Sequence, residues 1–103
     1  MTTKLVLSCI LWVSSQPTEV LQQPIDYGMA EINLSIGEFK FHADVFEEKM
    51  NYVEITHVNT GAVASAYTLE WPQRTLATRL QIAGQQSSLD CEIKKTNLPE
   101  PLQ

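Results

Sequence analysis

Ala30-Glu31-Ile32-Asn33-Leu34-Ser35-Ile36-Gly37-Glu38-Phe39-Lys40-Phe41-His42-Ala43-Asp44-Val45 is the stretch that decides the fold. Apolar side chains occupy every second position on both sides of Gly37-Glu38. A period of two is the spacing at which a strand sends successive side chains to opposite faces. Glycine in the first place of a two-residue loop favours a type II′ turn. The spacing therefore predicts a hairpin pairing Ile36 with Phe39, Leu34 with Phe41, Ile32 with Ala43 and Ala30 with Val45. In that register every apolar side chain shares one face, and a slip of one residue would expose them all. Ile32, Leu34, Ile36 and Phe41 are expected to form one buried cluster beside the turn.

Further along the chain, a charged turn over 47–51 leads into runs 52–58 and 62–71, which flank Asn59-Thr60-Gly61. Gly61 in third place suits a bulged three-residue loop, and this register sets Val53 beside Tyr67, Ile55 beside Ser65 and His57 beside Val63. Pro72 keeps Trp71 extended and ends that strand. Residues 75–83 contain helix-favouring Leu, Ala, Arg and Gln. Leu76, Thr78, Leu80 and Ile82 nevertheless alternate strictly, so the segment reads as a strand. After a turn at 84–88, Leu89, Cys91 and Ile93 alternate with Asp90, Glu92 and Lys94 in a final strand.

Towards the N-terminus, residues 5–13 are apolar on both faces and suit a central, doubly covered strand. Residues 14–24 contain Pro17 and Pro24 and read as a crossing loop with one helical turn at 18–23. The expectation is an all-β domain of about seven antiparallel strands, folded as a β-sandwich or small barrel. It spans 1–95, and a Pro-containing tail covers 96–103.

Charge and cysteine content limit the functions open to such a domain. The 103 residues carry a net charge of -5, and residues 19–70 hold nine acids against Lys40 and Lys49, a local balance of -7. Residues 71–103 carry +1, with four bases against Asp90, Glu92 and Glu100. Nucleic acid is not the expected partner, because phosphate binding needs clustered Lys and Arg. The apolar run at 5–13 is too short for a membrane-spanning helix and too weak for an export signal, which suggests a cytoplasmic protein without a membrane partner. Cys9 and Cys91 have no metal-type spacing. They alternate with Leu7, Leu11, Leu89 and Ile93, so both are expected inside the fold as free thiols, a bridge between them requiring the first and last strands to be neighbours.

No phosphate loop, nucleophile elbow, zinc helix or calcium loop occurs, and no cofactor or metal is called for. One constellation stands out. The hairpin register places Asn33 opposite His42 and Glu31 opposite Asp44 on the outward face. Opposed like charges there require a cation, altered protonation or solvent. His57 falls on the inward face with Val53 and Ile55, where a hydrogen-bonded core histidine is the ordinary outcome. Phe46 and Met29 sit on the otherwise polar face, suiting either a protein contact or a covering sheet. Trp12, Tyr27, Tyr52 and Trp71 are further candidates for a binding surface.

These features point to a non-enzymatic protein-binding or assembly module that acts through strand edges and an acidic face. Its binding residues are expected to be Met29, Phe46, Glu31, Asp44 and His42, and its partner another protein or a copy of itself. A β-domain binding a carbohydrate or apolar small ligand is the alternative. An enzyme would have only His42, Asp44 and Glu31 as acids and bases.

Overall fold

The computed structural model describes residues 2–68, 74–82 and 84–98. In chain order the strands are β1 (Thr2–Val13), β2 (Gln16–Pro24), β3 (Ala30–Ile36), β4 (Phe39–Phe46), β5 (Lys49–His57), β6 (Val63–Tyr67), β7 (Thr75–Ile82) and β8 (Gln85–Leu98). They form two antiparallel four-stranded sheets, ordered β2-β1-β8-β7 and β3-β4-β5-β6. Neighbours within each sheet are consecutive in sequence except β1 and β8. The order is that of an up-and-down cylinder opened along two seams, between β2 and β3 and between β6 and β7. Of the two architectures expected, the sandwich is the one formed.

The decisive hairpin has the expected register, from Ala30 opposite Val45 to Ile36 opposite Phe39. Gly37 has φ 56° and Glu38 does not share a positive φ, the pattern of a type II′ turn. Ile32 and Phe41 are buried, whereas Leu34 and Ile36 are half-buried because β3 lies at a sheet edge. Residues 75–82 are a strand, as their alternation predicts, and β1 is a central strand between β2 and β8.

Four expectations about strands and turns are corrected. The crossing loop at 14–24 is instead strand β2, joined to β1 through Ser14-Ser15 with φ of 50° and 67°. Both signs are those of a type I′ turn, which matches strand twist but is normally announced by Asn-Gly. The 47–51 turn contracts to Glu47-Glu48, again with both φ positive, and β5 begins at Lys49. The β5–β6 register slips by one: Tyr52 faces Tyr67, Glu54 faces Ser65 and Thr56 faces Val63. The connecting loop takes in Val58, with the N–H of His57 donating to the C=O of Ala62 at 2.8 Å, so β6 turns Val63 and Tyr67 outward and its alanines inward. Finally, β8 starts at Gln85, where a turn was expected, and runs to Leu98. Trp71, Pro72 and residues 99–103 lie outside the described residues.

The core lies between the sheets. Leu7, Cys9, Leu11, Leu89, Cys91 and Ile93 come from one sheet, and Ile32, Phe39, Phe41, Val45, Met50, Val53 and Ile55 from the other. Cys9 and Cys91 are buried as expected, but they are not free thiols. Facing each other directly across β1 and β8 with Cα atoms 4.1 Å apart, they form a disulfide. Residues 82 apart in sequence are thus held in register at the middle of the sheet. Alternation with leucines signals burial equally well for a thiol and a disulfide; only the β1–β8 pairing distinguishes them.

Candidate functional site

The outward face of β3, β4 and β5 carries the predicted constellation. Glu31 faces Asp44 and Asn33 faces His42. The side chains form a chain of hydrogen bonds. Asn33 Nδ2 donates to Glu31 Oε1 (2.6 Å), His42 Nδ1 meets Asn33 Oδ1 (2.7 Å), His42 Nε2 meets Asp44 Oδ2 (3.1 Å), and Asn51 Nδ2 donates to Asp44 Oδ1 (2.8 Å). The bond to Glu31 fixes the Asn33 amide, leaving its oxygen towards the imidazole. Both ring nitrogens then face oxygen atoms of their neighbours. The opposed carboxylates are thereby relieved through amides and an imidazole, with Tyr52 leaning on the ring at 6.0 Å between centroids.

Beside this chain lies an apolar patch. The backbones of Asp26 and Met29 bond to each other in both directions around Tyr27-Gly28. Tyr27 and Gly28 have φ of 55° and 75°, a third pair with both φ positive, in which glycine suits the latter position. This turn rests on the Glu47-Glu48 turn, whose Glu48 N–H donates to the C=O of Gly28 at 3.0 Å. Tyr27 is fully exposed at the tip, and Met29 and Phe46 are 55% and 47% exposed. Met29, Phe46, Glu31, Asp44 and Asn51 line one open depression of about 360 Å3. Of the five residues singled out in the sequence, Met29, Phe46, Glu31 and Asp44 line this depression, and His42 lies outside it, linked through its bond to Asp44. Asn51 joins the four in the depression.

His57 lies apart from this surface. It is 5% exposed on the inward face, tilted against Phe39 at 5.1 Å, with Nε2 at 3.0 Å from Glu38 Oε2 and Nδ1 at 2.8 Å from Thr60 Oγ1. Asn59 Nδ2 also donates to Glu38, at 2.8 Å. The ring ties the β3–β4 turn to the β5–β6 loop, which is a structural duty.

Charge divides between the sheets. From Asp26 to Tyr67 the chain holds seven acids and two lysines. The strands of the other sheet, with Arg74, hold five bases and three acids. Among the described residues no group of three or more His, Cys, Asp or Glu side chains is placed to hold a metal ion. No helix is long and apolar enough to cross a membrane. Comparison with protein-family models, curated proteins and solved structures finds no match to this chain.

Proposed function

We propose that this domain is a non-enzymatic protein-binding module whose contact surface is the acid-rimmed apolar patch of Tyr27, Met29 and Phe46. The observation that carries the reading is the exposure of Met29 and Phe46 on a polar sheet face, bordered by Glu31 and Asp44. An apolar centre with a polar rim is the usual anatomy of a protein contact. Tyr27, Glu47 and Glu48 all hold left-handed backbone there, at about 1–2 kcal/mol each for residues other than glycine. That strain supports a role for their side chains at this end of the molecule. The surrounding carboxylates favour a basic partner and a salt-sensitive association rate.

Catalysis is disfavoured by the hydrogen bonding of His42. Asn33 and Asp44 engage both ring nitrogens, so a substrate would have to displace one of them to reach the imidazole. The small-ligand alternative requires interior space, and the space between the sheets is filled by Phe39, Phe41, Met50 and Leu89. The buried Cys9–Cys91 bond weighs against a cytoplasmic location and for an oxidising compartment.

The test compares wild type with Phe46→Glu and Met29→Lys in capture from native lysate at low and high salt. Both variants must first be shown to keep the β-sheet spectrum. Loss of the same salt-sensitive partner in both supports the reading, and unchanged capture by both variants overturns it.

A further inference from the structure

Each sheet edge is defended to a different degree, and the difference points to a self-association surface. On β2, Ile25 N–H donates to the C=O of Leu5, so bonded residues alternate and Pro24 occupies the free edge. Pro17 lies beyond the Ser14-Ser15 turn, opposite Trp12, and faces the same way. Neither proline has an N–H to offer an incoming strand. Strand β3 carries Glu31 beside Asp44, an acidic edge that repels its own copy, and β6 is only five residues long. Strand β7 is eight residues without Pro or Lys. Because Ile93 N–H donates to the C=O of Arg74, the even-numbered residues of β7 face β8. Ala77, Arg79 and Gln81 therefore turn their N–H and C=O groups to an edge with which no described strand pairs, β6 lying beside it across the seam in the other sheet.

We infer that β7 pairs antiparallel with β7 of a second copy about a two-fold axis at Thr78, joining two four-stranded sheets into one of eight strands. Two registers overlap most of the strand, with the axis at Thr78 or at Arg79. The second sets the two guanidinium groups directly opposite each other, which is repulsive. The first sets Arg79 opposite Ala77 of the second copy, and Ala77 is itself paired with Asp90 on β8. Arg79 then lies across a small alanine, two strands or about 10 Å from Asp90 of the second copy, within reach of an extended arginine. The twofold repeats this charge pair. On the inward side, half-buried Leu76 of one copy meets half-buried Leu80 of the other, continuing the apolar layer. The open groove of about 600 Å3 over Ser8, Ile10, Ala77 and Asp90 acquires Arg79 of the second copy as its far wall.

The surface is separate from the Met29–Phe46 patch, so each reading can fail alone. Sedimentation of the full chain over a concentration series is the test. Wild type is expected to reach twice 11.6 kDa. Ala77→Pro, which removes an edge-facing N–H and no bond to β8, is expected to be monomeric with an unchanged β-sheet spectrum. Arg79→Glu and Asp90→Arg are each expected to weaken the dimer about tenfold or more, and their combination to restore it to within about threefold. Met29→Lys and Phe46→Glu leave its mass unchanged. A wild type that stays monomeric up to about 1 mM overturns the proposal. So does a dimer indifferent to Ala77→Pro, or a charge-swapped variant no tighter than either single variant.

Discussion

The two sheets are fastened by opposite means. In the β3–β6 sheet every neighbour is also the next strand in sequence, so short loops place each pair and the polar ties of His57 secure one end. In the other sheet the central pair is β1 with β8, the two ends of the described chain, and a disulfide fixes that pairing. Closing a long loop costs more entropy than closing a hairpin, so a covalent bond is most useful at the non-local pair. Local pairing needs only good turns and a good face.

Phe41→Ala is the largest blow to the locally paired sheet. The ring is fully buried beneath β3 and β5, and its loss should cost about 3–5 kcal/mol in urea unfolding. A loss under about 1 kcal/mol would mean the core lies elsewhere. Replacing Cys9 and Cys91 together by Ser attacks the non-local pair and should cost about 2–5 kcal/mol. Amide exchange should then rise first in β1 and β8 while β4 and β5 stay protected; uniform deprotection would erase the contrast between the sheets.

His57→Ala probes the polar tie. It cuts the tie to Glu38 and Thr60, leaves a cavity at Phe39 and should cost about 2–3 kcal/mol by thermal unfolding. Leu34→Ala is milder, at about 1–2 kcal/mol, because the side chain is only half-buried on an edge strand. A value above Phe41→Ala would reverse the assignment of edge and centre. The smallest change has the opposite sign. Glu47→Asn with Glu48→Gly puts residues that accept positive φ into the β4–β5 turn, and a gain of about 1 kcal/mol is expected from the denaturation midpoint.

What could be read in advance follows the same division. The 30–45 hairpin was legible because alternation, a glycine-led loop and single-sided burial agreed on one register. Strand β2 was not, because Ser14-Ser15 is a poor herald of a type I′ turn and Pro17 and Pro24 read as loop until the strand is known to be an edge. The β6 faces inverted because a glycine fits both a three-residue and a longer hairpin loop, and one extra residue reverses every side chain. Within the candidate site, the positions of Glu31, His42 and Asp44 were legible because they lie in the hairpin's register, whereas Met29 and Phe46 lie beyond its paired residues. Asn51 escaped because the irregularity at Asp44/Val45 brings it alongside, and a bulge leaves little trace in sequence.

The Cys9–Cys91 bond also has a mechanical consequence. Thr2 pairs with Leu98 at one end of the β1–β8 ladder, so tension applied outside these two residues opens the ladder like a zipper, one rung at a time. The tear advances from Thr2 to Ser8 on one side and from Leu98 to Glu92 on the other, then meets the sulfur bridge. From there the load passes from one cysteine to the other, and residues 10–90, including the whole β3–β6 sheet and the Met29–Phe46 patch, drop out of the force path. An oxidised chain under load would therefore lengthen by a few nanometres and stop with its binding face intact, whereas a reduced one would go on unravelling.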